Sequence, residues 1–465
     1  MRIPRIWLLL CLGWTVSSAD RAVTGPVVTW MIRHKAAFMA APDPYALGGL
    51  IGSIFFAGYM LAQFPGGYVG DRHGHRSVIA ISLAWAALAT FVSGLAGGLV
   101  AFMAVRIATG LGEGVYYAND RAVIAESTPP ARRSLAMGVV ITGLSIGITL
   151  AIATAPFLIG LGTSLLGEAD AWRMPFFVLS GASLVIAYVV WRGLAATRKP
   201  EDRPAQALAA LAPYTIVFFA LVFGLFLIAR AIALPAWALT VGELLLAFGT
   251  IAFVWRIKGE EIAGAIGSRD LVLLYVSFIP ILWTLWFLGF WAVSIVAGAS
   301  GGSFRVAALT AMFTGVSGIV GFPAGGWLAD WTLRAGIGRK PVLVVFTVTE
   351  AVLTLVLARY LQTGGHDPVV LAALLFVSGL FFNALQPVAH ALVADLAAPD
   401  QRGAAFGTYN LIGEIGAVLG PTISGTLRDA TGGWAAAVYL DGALVLASAA
   451  LVLFVRERMR AVAMT

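Results

Sequence analysis

The stretch "AVIAESTPPARRSLAMG" (122–138) returns in the second half of the chain as "ALVADLAAPDQRGAAFG" (391–407). Both copies carry an acid, a proline four residues on, an arginine three later and a glycine five beyond that. These are Glu126, Pro130, Arg133 and Gly138 against Asp395, Pro399, Arg402 and Gly407. A second pair supports the first: "PGGYVGDRHGHR" (65–76) is echoed by "PAGGWLADWTLRAGIGRK" (323–340), each with a glycine four residues before an aspartate, Gly67 before Asp71 and Gly326 before Asp330. Apolar runs flank all four segments. A chain whose halves repeat in the same order and are almost wholly apolar reads as a membrane transporter with its site between the halves.

Composition narrows the class. Hydrophobic residues make up 60% of the 465 and charged ones 11%. With a mean hydropathy of +0.91, these values exclude an ordinary soluble domain. The single cysteine, Cys11, rules out an internal disulfide. A formal net charge of +7 is better explained by basic residues at the membrane–cytoplasm boundary than by nucleic acid, so no nucleic-acid partner is expected. The start, "MRIPRIWLLLCLGWTVSSAD", has the outline of a signal peptide. Apolar sequence resumes from Ala22 to Met31, however, so the segment is expected to be retained as a first span.

Fourteen membrane helices are expected, near 5–31, 45–70, 76–96, 99–127, 133–161, 172–194, 207–230, 235–257, 270–299, 304–333, 338–362, 367–397, 401–427 and 433–457. With the N-terminus inside, most of the thirty basic residues fall at inner helix ends, among them Arg72, Arg76, Arg132, Arg133, Arg198, Lys199, Arg339 and Lys340. A single central helix would reverse the second half and send its basic ends outward, so the extra element must hold an even number of spans. The distance from Asp71 to Asp330 also exceeds the roughly 200 residues that six spans need. The expected fold is therefore all-α and polytopic: a six-helix bundle (1–200), two additional helices (201–262) and a second six-helix bundle (263–465).

Gly67, Gly70, Asp71, Arg72, Gly74 and Arg76 resemble the loop signature of the major facilitator superfamily between its second and third helices. Gly326, Asp330, Gly338, Arg339 and Lys340 form a weaker second copy, and Arg106, Gly110 and Gly114 resemble that superfamily's fourth-helix pattern. More narrowly, "SSADRAV" (17–23), "GYMLAQFPGG" (58–67), "RIATGLGEG" (106–114), "YYANDRAVIAE" (116–126) and "SIGITLAIATAP" (145–156) resemble the anion:cation symporter branch, which includes sugar-acid transporters and sialin-like carriers. That resemblance implies proton-coupled movement of an organic anion. It puts Asp20, Arg21, Arg106 and Glu113 on the coupling and anion-binding positions, and Tyr59 on a pocket tyrosine.

Read as residues, Arg106 and Glu113 are seven apart and face one way on a helix, about 10 Å apart along its axis, with Asp120 extending that face. Ionised groups at this depth cost several kcal/mol each, so they should pair or face a cavity. Glu113 and Asp20 are the expected proton-coupling residues, with Glu113 the main carrier. The planar fork of Arg21 suits a carboxylate, while Asp20, about 100° around the helix, should turn towards Arg106 or a neighbouring helix. A packing salt bridge is the competing reading for all four. Asp71, with Arg72 and Arg76, is expected to act as a gate by pairing with Arg121, and Asp330 is its counterpart.

In the second half, Asn383, Gln386 and His390 form one polar stripe and Tyr409, Asn410 and Glu414 another. Asn410 and Glu414 are the expected substrate-facing pair, and His390 the expected packing residue. Glu414 departs from the sugar-acid pattern and admits a zwitterionic substrate or a second proton. Trp283, Trp286 and Trp291 read first as packing. Glu243, Glu350 and Asp441 are intramembrane acids with no evident partner in the sequence.

No nucleotide-binding loop, paired-cysteine metal pattern or nucleophile motif is present in the sequence, so neither an enzyme nor an ATP-driven pump is expected. The expected partners are a small anionic substrate, protons and the lipid bilayer. No cofactor is expected, and the driving force is a proton gradient. The expected setting is the plasma (bacterial inner) membrane, with a monomer whose termini are both cytoplasmic. Drug or metabolite export is the first alternative, which the fifth span disfavours because it lacks a G-x-x-x-G-P run. A non-transporting sensor or structural protein is the second.

Overall fold

A membrane interior offers the backbone no water to bond, so each span must close its own hydrogen bonds as a helix. The computed structural model describes residues 4–129, 133–194, 202–266, 268–398 and 402–457. Its helices run in order α1 (Arg5–Arg33), α2 (Pro44–His73), α3 (His75–Leu95), α4 (Leu99–Gly114), α5 (Tyr116–Ser127), α6 (Arg133–Leu166), α7 (Met174–Gly193), α8 (Pro204–Ala231) and α9 (Ala236–Ile266). They continue as α10 (Arg269–Ser300), α11 (Phe304–Ala311), α12 (Phe313–Arg334), α13 (Lys340–Gln362), α14 (Pro368–Leu396), α15 (Arg402–Thr431) and α16 (Ala435–Leu453). Two expected spans are each split in two: α4 gives way to α5 at Val115, and α11 to α12 at Met312.

With each split pair counted once, 12 helices among the described residues are long and apolar enough to cross a membrane. Helix α9 contributes only the shorter apolar stretch Ala236–Thr250, and α15, which carries Glu414 and several glycines, falls outside that set.

The sequence repeat is also a repeat of packing. In the first half α1 lies along α6, α2 along α4, and α3 along α7. In the second half α10 lies along α15, α12 along α14, and α13 along α16, which are the same pairings in the same order. The copied motifs fall at matching junctions, α2 to α3 and α12 to α13, then α5 to α6 and α14 to α15. Pro130 and Pro399 of the second motif lie outside the described residues, as does the side chain of Arg133. At the first junction the repeat requires glycine: Gly74 and Gly338 both have φ of 89°, a backbone region that a Cβ strains. A Cβ would also run into Asp202 at Gly74 and Glu457 at Gly338.

The halves meet along α2 with α15, α1 with α10, and α6 with α12. At the end where α1 finishes and α2 begins, the seam is tight. A Cβ on Gly49 would strike the backbone of Pro421 and Thr422, one on Gly425 the backbone of Tyr45, and one on Gly25 the backbone of Phe290. Small residues allow this approach in a membrane, where van der Waals contact and hydrogen bonds carry the association. Across the seam Asp429 accepts from the Ala46 amide at 2.7 Å and Thr422 Oγ1 donates to Ser53 Oγ at 2.6 Å, while within the second half Trp291 Nε1 donates to the Pro421 carbonyl at 2.9 Å. Outside this seam, α8 packs on α2, α3 and α4, whereas α9 packs on α15, α2 and α10. Thr240 Oγ1 of α9 lies 3.1 Å from Thr422 Oγ1, which extends the hydroxyl chain into the added pair.

This seam can be tested by cysteine labelling. In a Cys11→Ser background, Ser53→Cys should resist a membrane-impermeant maleimide, because Ser53 is fully buried. Adding Gly49→Val should force α2 from α15 and raise the labelling rate by about tenfold or more, equivalent to ~1.4 kcal/mol. An unchanged rate would mean that the contact does not hold this end shut.

Candidate functional site

Helices α1 and α4 cross with two acids and two bases between them, and the pairing is diagonal. Arg21 Nε is 2.5 Å from Glu113 Oε2, and Arg106 Nη1 is 4.0 Å from Asp20 Oδ2. All four side chains are at most 5% exposed. Adjacent residues on α1 point in different directions, so Asp20 and Arg21 reach residues seven apart on α4, as helix geometry requires. Arg106 and Glu113, expected on one face, each find their partner on α1.

Ser17, one turn before Arg21, closes a small ring: Arg21 Nη2 donates to Ser17 Oγ at 2.9 Å, and Ser17 Oγ donates to Glu113 Oε2 at 2.6 Å. The Arg21 guanidinium lies 4.4 Å from the centre of the Tyr59 ring, 5.5 Å from Trp14 and 5.8 Å from Trp286. In a desolvated setting each such contact is worth up to about 2 kcal/mol. Trp286 belongs to α10, so the second half supplies one wall of the Arg21 environment. Arg106 lies over Phe55 at 4.6 Å.

Thr90 on α3 contacts Asp20 Oδ1 and also lies 2.8 Å from the Ala86 carbonyl. Several buried polar atoms here have no hydrogen-bond partner among the described residues: Glu113 Oε1, Asp20 Oδ2, and Arg106 Nε and Nη1. Buried polar groups are normally paired, so the cluster retains bonding capacity on both acids and on one base.

Across the seam, Glu414 and Asn410 of α15 meet Gln63 of α2. Asn410 Nδ2 donates to Gln63 Oε1 at 3.1 Å and to Glu414 Oε1 at 3.2 Å, and Gln63 Nε2 lies 3.5 Å from the same carboxylate oxygen. Arg21, Tyr59 and Glu414 interact electrostatically, so the expected residues of both halves converge on one region. Sequence reading passed over Ser17, Gln63 and Thr90, and set Trp286 aside as packing. Gln63 carried a signal, since it is an amide in an apolar run one turn after Tyr59.

The expected gate differs from the structure. Asp71 does not pair with Arg121. Its side chain is 76% exposed and 3.5 Å from His75 Nε2, while Arg121 lies 3.7 Å from Asp120 and over Tyr117. The halves are shut at the opposite end, and Arg121 turns towards the interior while Asp71 points out. Here the motif works within its own half. His75 Nδ1 is 2.8 Å from Asn119 Oδ1, Asn119 Nδ2 donates to the Gly66 carbonyl, Gly67 approaches Ala118, Arg72 stacks over Tyr68, and Arg76 donates to the Trp191 carbonyl. Asp330 is likewise held within the second half, 3.1 Å from Arg339, which also pairs with Asp395.

Asn383 bonds Ser317 and the Gly379 carbonyl, and His390 Nδ1 is 2.7 Å from the Gln386 carbonyl among Phe278, Phe406 and Tyr409. Both serve packing in this arrangement. Trp291 reaches the seam through Gly48 and Tyr45 of α2.

Residues 10–316 and 301–463 match the family model described as Major Facilitator Superfamily. The hexuronate transporter of Bacillus subtilis (strain 168) is 24% identical over 417 residues, covering 88% of this chain and 85% of the relative. The D-galactonate transporter of Escherichia coli O6:H1 is 23% identical over 414 residues, covering 88% and 86%. In fold, the chain is similar to the xylose transporter XylE from E. coli in a partially occluded inward open conformation, with a TM-score of 0.66 at 18% identity over 97% of this chain and 99% of that one.

The diagonal pairing predicts an asymmetry in stability. Arg21→Met strands the Glu113 charge and should destabilise the protein by about 3–5 kcal/mol. Arg21→Met with Glu113→Gln, which removes both charges, should recover most of that loss when unfolding is followed by tryptophan fluorescence in detergent. A double variant no more stable than the single would show that the two charges are not a buried pair.

Proposed function

This chain belongs to the Major Facilitator Superfamily, and on that premise we propose that it carries a small organic anion of the sugar-acid kind across a membrane, in symport with protons, by alternating access. The observation that carries the reading is Arg21: a single buried guanidinium held by Glu113 of its own half, bounded by Tyr59 and by Trp286 of the other.

A substrate carboxylate and Glu113 compete for that guanidinium. Two anions sharing one cation in a low-dielectric site repel, so the substrate binds well only when Glu113 is neutral. A proton on Glu113 releases Arg21 to the substrate, and a departing substrate returns Arg21 to an ionised Glu113. This exchange couples the two movements as a linkage between binding events. Asp20 is the second proton group. The hydroxyl of Thr90 has one hydrogen and two acceptor neighbours, Asp20 and the Ala86 carbonyl. Both contacts are made when Asp20 carries a hydrogen and donates it. Arg106 then adds positive potential near the anion.

On the facing side, Glu414, Gln63 and Asn410 offer acceptors for the hydroxyl hydrogens of a polyhydroxy acid, and Gln63 and Asn410 also offer donors. The names of the hexuronate and D-galactonate relatives support this substrate class. The tight seam at Gly25, Gly49 and Gly425 would be the outer gate. Gly67, Asp71, Arg72, Arg76, Arg121 and Asp330 would rearrange into the inner gate when the halves rock.

In this reading α9 and α15 also span, which gives fourteen helices in two six-helix bundles, 1–200 and 263–465, with the added pair in 201–262. The protein would act as a monomer in the plasma (bacterial inner) membrane with both termini cytoplasmic, and a proton gradient would be its driving force.

The test is solid-supported-membrane electrophysiology on proteoliposomes with D-galactonate, hexuronates, dicarboxylates and amino acids. A hydroxylated monocarboxylate should give a proton-dependent current that Glu113→Gln abolishes and Arg21→Lys reduces by about tenfold or more, the ~1.4 kcal/mol or greater expected for losing a bidentate fork. Silence across all anions, with protons moved by cationic compounds instead, would replace symport with export.

A further inference from the structure

Two acids in the second half lie outside the central cluster. Glu350 on α13 and Asp441 on α16 are fully buried, their helices pack along each other, and the two carboxyls bear on one another electrostatically. Among the described residues no lysine, arginine or histidine forms an ion pair with either. The bases on the same helix, Lys340 and Arg359, are about 15 and 13 Å away along its axis.

The neighbours that face the pair are hydroxyls. Thr284 of α10 lies 2.6 Å from Asp441 Oδ1, Thr354 of α13 donates to Glu350 Oε1 at 2.9 Å, and Ser378 of α14 lies 3.1 Å from Thr354. The acids of the other neighbouring helices are engaged elsewhere, Asp330 of α12 with Arg339 and Glu414 of α15 with Asn410 and Gln63. The remaining oxygens, Glu350 Oε2 and Asp441 Oδ2, have no hydrogen-bond partner among the described residues.

Hydrogen counting assigns a proton. Thr284 Oγ1 is within bonding distance of two acceptors, Asp441 Oδ1 and the Pro280 carbonyl at 3.1 Å. It has one hydrogen, so both contacts are satisfied only when Asp441 carries a hydrogen and donates it to Thr284, which donates on to Pro280. A pair of adjacent carboxylates without a cation would otherwise stand ionised at membrane depth, which is strongly unfavourable.

The same hydroxyls reach a cavity. Thr284 and Ser378 line a space of about 20 Å³ between the halves, with Ser145 and Ile148 contributed by α6 of the first half and Thr314 and Asn383 by the second. That volume holds about one water molecule, and the lining supplies the polar partners it needs. One hydroxyl separates the cavity from Asp441, and two separate it from Glu350.

We propose that Glu350 and Asp441 form a second proton-binding site, holding a proton that exchanges through the Thr284- and Ser378-lined cavity at the junction of the halves. The cavity is walled by both bundles, so rocking changes its access, and the site would carry a proton of its own through each cycle. Its use in transport rests on the symport reading; its occupancy does not.

The test therefore has two arms. Infrared difference spectra of the purified full-length protein at neutral pH, wild type minus Glu350→Gln/Asp441→Asn, should show a protonated-carboxyl band that shifts in heavy water. Ser145→Leu, which fills the cavity, should slow that shift. Should the double variant fail to fold, Asp441→Asn alone removes the hydrogen donated to Thr284 and should remove the band. In proteoliposomes probed with D-galactonate, the reversal potential of the double variant should report one proton fewer per cycle than the wild type. The absence of a difference band, an exchange rate indifferent to Ser145→Leu, an unchanged proton ratio, or a reversal potential that follows sodium would each overturn the proposal. If wild type does not move D-galactonate, the symport reading fails on that probe and the infrared arm decides the site by itself.

Discussion

The organisation of the interior follows from the cost of placing charge where there is no water. Two guanidinium and two carboxyl groups stand at mid-depth on α1 and α4, and each is tolerated because an opposite partner lies across the helix crossing. Breaking one contact leaves a buried charge unmatched, so the relative placement of α1 and α4 is fixed by electrostatics as much as by packing. The surrounding rings reinforce this. Tyr59, Trp14 and Trp286 present π-faces to Arg21, and Phe55 to Arg106. In the symport reading, a cluster that is neutral as a whole, yet has unused bonding capacity on individual atoms, takes up a proton and an anion together without leaving a net charge in the membrane.

Close backbone approach is the second requirement. Gly25, Gly49 and Gly425 bring the two halves together along a seam held by a few hydrogen bonds and no ion pair between the halves among the described residues. Such a contact is stable when closed but gives way over a short travel, since each bond is modest on its own. At the opposite end the Asp330–Arg339 ion pair and the Asp71–His75 contact run within a half. They hold each bundle together as a unit without joining it to the other.

Much of this was legible in the sequence. The two copied motifs fixed the halves, and the structure repeats their packing pair by pair. A 100° step on a helix separates Asp20 from Arg21, and of the directions it left open, Arg106 or a neighbouring helix, Asp20 lies towards Arg106, while His390 sits against the Gln386 carbonyl among aromatic rings. Other features were hidden because they depend on tertiary neighbours. The pairing of Glu113 with Arg21 is a choice among several partners at similar depth. Ser17, Gln63 and Thr90 are ordinary polar residues until another helix is brought against them. The Asp71–Arg121 contact is not made in this arrangement, which is shut at the opposite end, because helix position gives depth but not azimuth, and azimuth decides whether a side chain at a helix end turns inward or towards water. The splits at Val115 and Met312 have no proline beside them, and Gly114, the last residue of α4, reads in the sequence as one more small residue of a glycine-rich run.

The added pair deserves its own mechanical reading. Helix α8 lies on the first bundle, and α9 reaches the second while keeping a foot on α2. The connection between bundles is therefore a hairpin laid across the joint between them. Any rotation of one bundle against the other must be absorbed as a change of angle between α8 and α9 or as sliding at the Thr240–Thr422–Ser53 hydroxyls. If the bundles rock in alternating access, both deformations would displace surrounding lipid, and bilayer thickness and lateral pressure would enter the energetics through this hairpin.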